Sequence, residues 1–122
     1  MYKLLILSLF TSLGFASELN TNSFSGYKFV TDTEDQFIQF NADGTAAGLI
    51  KKKYTDRLIT IKDTYWFFED YNYVSSRITL YFDSNGECIF NVSTKGNFLW
   101  FEYYTGNKCE LDDVLFVRKY KI

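Results

Sequence analysis

The sequence has no histidine and no proline, only two cysteines, and no surplus of basic side chains. Without histidine, the usual general base near neutral pH is missing, which excludes Ser-His and Cys-His catalytic pairs. Two thiols without an imidazole also make a poor zinc site, and we expect neither a metal nor a cofactor. The 13 basic and 15 acidic side chains give a net charge of −2, which argues against a nucleic-acid partner.

The N-terminal residues have the three parts of a secretory signal peptide. Lys3 gives a positively charged start, residues 4–10 are almost entirely apolar, and the small Gly14 and Ala16 precede a cleavage site. The apolar run is shorter than the about 20 residues of a transmembrane helix, so we expect no transmembrane anchor. A buried N-terminal helix is the alternative. The pattern predicts removal of residues 1–16 and a periplasmic or secreted single domain of residues 17–122.

Cys88 and Cys109 are the only thiols, and an even number of cysteines in an exported chain predicts one disulfide. Their spacing does not fit a catalytic Cys-x-x-Cys pair. The bond would close a loop of about 20 residues and contribute about 3 kcal/mol in the chain-entropy model. Two free thiols are the alternative.

Short runs rich in aromatic and β-branched residues alternate with turns that combine glycine with asparagine or aspartate, which is typical of β structure. The expected strands are 27–31, 36–41, 45–52, 58–63, 65–69, 77–82, 88–93, 98–104 and 114–119. This spacing predicts an all-β fold, an antiparallel up-and-down meander that closes into a small barrel. Helical spacing of Ile50, Tyr54, Leu58 and Ile61 keeps an α+β alternative open, with one helix near residues 46–58.

Four short motifs follow one another along the chain: 25–29 (Ser-Gly-Tyr-Lys-Phe), 40–45 (Phe-x-x-Asp-Gly-Thr), 64–67 (Thr-Tyr-Trp-Phe) and 77–80 (Arg-Ile-Thr-Leu). In this order they resemble the small bacterial lipocalin-like, or calycin-type, domains. The resemblance implies an exported lipocalin-like barrel with a binding or inhibitory role and no catalytic residues. Tyr27 stands where lipocalins have a tryptophan, and Arg118 on the last strand is expected to cover it.

Enzyme activity is not expected, and a hydrolase that uses carboxylates alone is the residual alternative. Its candidate residues lie at expected strand ends or loops, where solvated turn carboxylates are common. They form three clusters: Asp32, Glu34 and Asp35; Glu69 and Asp70; Asp112 and Asp113.

Two aromatic runs, residues 65–68 and 98–101, are apolar on both alternating faces of their expected strands. One option places the rings of both runs around an apolar cavity in the barrel: Trp66, Phe68, Phe98 and Trp100. A second option makes the outward rings a surface that binds a protein. A third is that the rings simply fill the core. The candidate binding residues are Tyr65, Trp66, Phe68, Phe98, Trp100 and Tyr103.

The function expected first is an exported, non-catalytic protein that holds a small apolar or amphipathic ligand in its barrel. The alternative is a periplasmic inhibitor or immunity protein that binds an exported protein through exposed aromatic side chains. The basic run at residues 51–53 has two interpretations. It is either a solvated loop or lysine-protected edge strand, or a contact with an acidic partner or with anionic lipid headgroups.

Overall fold

The computed structural model describes residues 19–71, 75–82, 86–95, 98–104 and 109–122. The predicted signal peptide, residues 1–16, lies outside the described residues. Among the described residues, no helix is long and apolar enough to cross a membrane. The helical structure in this part of the chain is one short 3-10 turn, Thr21–Ser23, and nine strands follow it: β1 Tyr27–Val30, β2 Phe37–Phe40, β3 Thr45–Lys51, β4 Leu58–Tyr71, β5 Ser75–Phe82, β6 Gly86–Lys95, β7 Phe98–Tyr103, β8 Val114–Phe116 and β9 Arg118–Lys121.

The nine strands form one antiparallel sheet in the order β8-β7-β6-β5-β4-β3-β2-β1-β9, which curls into a nearly closed barrel. The predicted all-β meander is confirmed. The helix near residues 46–58 was the wrong alternative, because β3 alternates Ala46, Gly48 and Ile50 inward and pairs with β2 and β4. The turn before it places Gly44 at a φ of 94°, a conformation that favours glycine and that lets β2 and β3 form a hairpin.

One extended segment near the C-terminal end of the chain closes the barrel. Its first half, β8, pairs with β7, and its second half, β9, pairs with β1. Between the halves, the Val117 N–H donates to the Val30 carbonyl oxygen at 2.9 Å. The single strand predicted for residues 114–119 is therefore two strands, because the segment exchanges one neighbour for another at Val117.

The two strands predicted at 58–63 and 65–69 are one strand of 14 residues, β4. Its first part pairs with β3 and its second part with β5. The pairing of β3 with β4 shifts its register between Ala46 and Gly48. The residues of β4 opposite this shift are Lys62 and Asp63, and both are exposed. Asp63 has a φ of 50°, which is typical of the extra residue of a β-bulge. The bulge restores the inward alternation of Ile61 and Thr64.

Six buried phenylalanine rings fill the barrel, with neighbouring centroids 5.2 to 6.4 Å apart. These rings belong to Phe24, Phe29, Phe40, Phe90, Phe101 and Phe116. Phe24 follows the 3-10 turn and covers one end of the barrel, where it also contacts Phe68 at 5.4 Å between ring centroids. The alternation of the sequence predicts that Ile78, Leu80 and Phe82 of β5 and Cys88, Phe90 and Val92 of β6 point inward. All of them except the half-buried Phe82 are buried and complete the core, and Thr79, expected to face outward, is buried as well.

Residues 109–112, which we call the end strap, cover the opposite end of the barrel. Cys109 is bonded to Cys88 of β6, as predicted, with the two Cα atoms 5.0 Å apart. Leu111 is buried and forms an isolated bridge with Lys52, just beyond β3. The Lys53 N–H donates to the Glu110 carbonyl at 2.7 Å, and the Asp112 N–H donates to the Lys51 carbonyl at 2.9 Å. The strap therefore ties β6 to β3 across the barrel.

The cation expected over Tyr27 is supplied by the neighbour of Arg118. The Lys119 ammonium lies 4.1 Å from the centroid of the Tyr27 ring and 5.7 Å from that of Phe29. Arg118 instead donates to the carbonyl oxygens of Thr31 and Asp32. The expectation for Arg118 was wrong because Arg118 pairs with Val30, on the outward side of β1, whereas Lys119 pairs with Phe29 on the inward side.

Gly48 of β3 pairs with Ile38 of β2, and its Cα lies close to the main chain of that strand. A Cβ atom at this position would overlap the main-chain carbonyl oxygen of Phe37 and press on the Cα atom of Ile38. We predict that Gly48→Ala lowers the free energy of unfolding by about 1–3 kcal/mol, because main-chain atoms cannot move aside as a flexible side chain would. Guanidinium unfolding measures this, with Ala47→Ser as the matched control, expected to change stability by less than about 0.5 kcal/mol. Equal stability of the two variants would contradict the close approach.

The disulfide fixes the end strap, so its removal should loosen the strap more than the rest of the barrel. We expect the double variant Cys88→Ala and Cys109→Ala to lose about 3 kcal/mol of stability, because the unfolded chain gains freedom. Amide exchange at Lys53 and Asp112, whose N–H groups are part of the strap contacts, should accelerate more than exchange in β1 and β2. Uniform acceleration throughout the barrel would show that the strap is not separately held by the disulfide.

Candidate functional site

The two inward candidates of β4, Trp66 and Phe68, are held in the core. Trp66 is half-buried, its indole N–H donates to the Asn41 carbonyl oxygen at 3.0 Å, and its ring lies 5.1 Å from that of Phe40 between centroids. Phe68 packs against Phe24. Both side chains thus have defined structural contacts at the end of the barrel that Phe24 covers.

Phe98 and Trp100 do not share the barrel interior with Trp66 and Phe68. On β7 the inward positions are Leu99 and Phe101, both buried, and Phe98 and Trp100 are exposed on the outer face. The arrangement of four rings around a cavity is therefore not formed. The run at 98–101 is apolar on both faces, so its pattern cannot indicate which face is inward; the ladder to β6, which pairs Val92 with Phe101, decides it.

The outer face of β7 and β8 carries an apolar surface that we call the β7–β8 patch: Phe98, Trp100 and Leu115. Their exposed fractions are 49%, 36% and 44%. Trp100 stands directly opposite Leu115 in the ladder between the two strands, with Ser93 of β6 on its other side. Leu115 was not among the candidates from the sequence, because only the strand pairing brings it beside Trp100.

A second exposed aromatic group, the β4–β5 patch, contains Tyr65, Phe67 and Tyr81. Tyr65 and Tyr81 stand opposite each other in the ladder. Phe67 and Tyr81 were not selected as candidates, although the alternation of β5 correctly predicts that Tyr81 points outward. Tyr103 pairs with Phe90 through the main chain, and its side chain lies outside the described part of the structure.

A polar row separates the two patches. It crosses four strands through direct cross-strand neighbours: Glu69, Arg77, Asn91 and Glu102. The Arg77 Nε donates to the Asn91 Oδ1 at 3.2 Å, and the guanidinium lies 4.1 Å from the centroid of the Tyr104 ring. Because this row is charged and hydrogen-bonded, the two patches are distinct surfaces rather than one continuous apolar face.

The basic run at residues 51–53 is engaged by the end strap. The Lys52 ammonium lies 3.0 Å from a Glu110 carboxylate oxygen, and the main chains of Lys51 and Lys53 are hydrogen-bonded to the strap. These contacts give the run a structural role at this end of the barrel. The side chains of Lys52 and Glu110 are both substantially exposed, so their ion pair contributes little to stability.

The acidic loop between β1 and β2, residues 31–36, is held by ion pairs with Arg118 and by hydrogen bonds within the loop. Arg118 lies 3.6 Å from carboxylate oxygens of Asp32 and of Glu34. Asp35 accepts hydrogen bonds from the hydroxyls of Thr33 and Thr31, and these bonds hold the pKa of Asp35 below its usual range. Among the residues that the structure describes, no group of three or more carboxylates or thiols is placed to hold a metal ion.

Comparison of the chain with protein-family models, with curated proteins and with solved structures finds no match. The chemistry of the described residues therefore carries the functional argument.

The hydrogen bonds to Asp35 predict a local pH dependence. Because the folded-state pKa of Asp35 is depressed, the stability that it contributes is present above the ordinary value of about 3.9 and is lost as the pH falls through the folded-state pKa. We expect Thr33→Val to raise the pKa of Asp35, as measured by NMR titration of the carboxyl carbon. Thr60→Val, on the outer face of β4, is the control and should leave the titration unchanged. Identical titration of Asp35 in both variants would exclude the Thr33 bond as the cause.

Proposed function

We propose that this protein is an exported, non-catalytic binding protein that contacts a partner protein through the β7–β8 patch. The observation that carries the proposal is the outward position of Phe98, Trp100 and Leu115 on adjacent strands. Exposed apolar groups of this kind mark protein interfaces, and tryptophan is enriched among the residues that dominate binding energy. A rigid β-sheet presents the three side chains in fixed relative positions, which lowers the entropy lost on binding.

A small ligand inside the barrel, the function expected first from the sequence, has less support. The described inward positions are occupied by phenylalanine rings in mutual contact, and the polar atom of Trp66 is already hydrogen-bonded. A ligand would have to displace these rings, with the loss of their packing. The outward patch requires no such rearrangement.

We also propose that the barrel is lipocalin-like and that the protein acts in the periplasm or after secretion. The nearly closed meander and the lysine from the last strand over Tyr27 support the first statement. The disulfide and the predicted signal peptide support the second, because disulfides persist in oxidising compartments. An inhibitor or immunity protein is the class of binding protein that best fits a small disulfide-bonded domain in a chain whose net charge is −2.

Affinity capture from a periplasmic extract of the host tests the patch. We expect Trp100→Ala to weaken binding of the purified partner by about 30-fold or more, the effect of losing a residue that dominates an interface. Tyr81→Ala, in the β4–β5 patch, is the matched control and should leave the dissociation constant unchanged. Both variants should remain folded, with a loss of at most about 1 kcal/mol of cross-strand packing, because both side chains are on the outer face.

Two results would overturn the proposal. Equal affinity of Trp100→Ala and the parent would remove the β7–β8 patch from the interface. Co-purification of a small apolar molecule with the protein from its host, detected by native mass spectrometry together with failure to capture any protein, would favour the ligand-carrying function instead.

A further inference from the structure

Strand β9 lies beyond the first residue of β7, so it has no partner in that strand. In the ladder between β7 and β8, Leu99 stands opposite Phe116, and β7 begins at Phe98. Continuation of that register places Phe98 opposite Val117, so β9 lies beyond the first residue of β7. One edge of β9 pairs with β1, and along its other edge the described part of the chain provides no neighbouring strand.

The main-chain groups of Lys119 and Lys121 point toward that edge. In an antiparallel ladder, residues that exchange hydrogen bonds alternate with residues that do not. The Ile122 N–H donates to the Gly26 carbonyl at 2.9 Å, so alternate residues back along β9 from Ile122 face β1. Lys119 and Lys121 lie between them, and within the described residues their N–H and carbonyl groups have no hydrogen-bond partner.

The same edge carries unbalanced positive charge. Arg118 is offset by Asp32 and Glu34, each 3.6 Å away. Lys119 and Lys121 are exposed, and neither forms an ion pair with the described residues. The Lys119 ammonium lies over the Tyr27 ring, a contact that leaves its charge without a counter-ion. A local concentration of cations on a chain with net charge −2 attracts an acidic partner and not a chain of arbitrary charge.

A groove beside the edge offers a position for a side chain of that partner. It has a volume of about 390 Å³ and lies on the outer face of β9, β1 and β2. Its lining is Tyr120, Lys28, Val30, Phe37 and Glu34. Tyr120 stands directly opposite Lys28 in the ladder, and the Lys28 ammonium lies 4.6 Å from the centroid of the Phe37 ring. Tyr120 is 47% exposed and is the lining residue of the groove that belongs to β9.

We propose that the free edge of β9 binds an extended acidic segment of the partner protein by β-strand addition, with one outward side chain of that segment against Tyr120 and the groove. Main-chain hydrogen bonds to Lys119 and Lys121 would supply affinity, and the cations and the groove would supply selectivity. This inference rests on the proposed function, because it states which segment of the partner binds beside the β7–β8 patch.

A second copy of this chain fits the edge less well. Antiparallel pairing of two β9 strands about Tyr120 would set Lys119 of each copy opposite Lys121 of the other, and like charges directly opposite destabilise a ladder. Lysines on an edge strand also discourage indiscriminate pairing. An acidic segment removes the repulsion, so the same lysines that reject a second copy favour this occupant.

Amide hydrogen exchange tests strand addition on the full chain, expressed with its leader and recovered after export. The probe is a capped peptide of alternating glutamate and valine. We expect the amides of Lys119 and Lys121 to exchange at least about tenfold more slowly when the peptide is bound, because their N–H groups become hydrogen-bonded. Added salt should weaken this protection, because the attraction between exposed charges is screened.

Two matched comparisons separate hydrogen bonding from charge. Lys121→Pro removes an N–H that faces the free edge and leaves the bonds to β1 intact, so it should abolish protection of Lys119. Lys121→Gln retains the N–H and should retain protection at a higher peptide concentration. A peptide with alternate amides methylated, which carries the same charges, should not protect either residue.

Three outcomes would overturn the inference. They are unchanged exchange at about 5 mM peptide, equal protection by the methylated peptide, and a concentration-dependent dimer that Lys121→Pro abolishes, which would make a second copy the occupant. The proposed function is read out separately by the effect of Trp100→Ala on partner binding. Loss of partner binding in Trp100→Ala together with unaltered binding in Lys121→Pro would support the patch and reject strand addition.

Discussion

The hydrogen bonds of residues 114–121 hold the two ends of the sheet together. Strands in a closed barrel are tilted and staggered, so a short closing segment cannot pair with both neighbours along its whole length. Here β8 pairs with β7 and β9 pairs with β1, with the exchange at Val117. This division positions Leu115 beside Trp100 and Lys119 over Tyr27. It also leaves one side of β9 without a strand among the described residues.

Sequence patterns predicted the parts of the fold in which one face of a strand is polar. Ile78 and Leu80 of β5 alternate with Thr79 and Tyr81, and Cys88 and Phe90 of β6 share a face, so the inward side of both strands could be predicted, although Thr79 is buried as well. The disulfide followed from the even number of cysteines. The run at 98–101 offers apolar residues to both sides, and only its pairing with β6 makes Leu99 and Phe101 the buried pair. Binary patterning has no information where both faces are apolar.

Features that depend on strand register could not be predicted from the sequence. The bulge at Asp63 joins two expected strands into β4, and its signal, a non-glycine residue at positive φ, is conformational rather than compositional. The difference between Arg118 and Lys119 is one residue of register, which moves a side chain from the outer to the inner face of the barrel. The cross-strand neighbours of Trp100 and Tyr65, which are Leu115 and Tyr81, could not be predicted for the same reason.

The order of the strands in the sheet also affects the order in which the ladders can form during folding. Among the described strands, every ladder except one joins strands that follow each other along the chain, so those pairings close short loops. The exception pairs Tyr27 with Lys121 and closes almost the whole domain into a ring, at a much larger cost in chain entropy. Non-local pairings of this kind slow folding, because the entropy must be lost before the contacts form. We therefore expect the β1–β9 ladder to form last, so that the growing sheet has an open edge at each side until then.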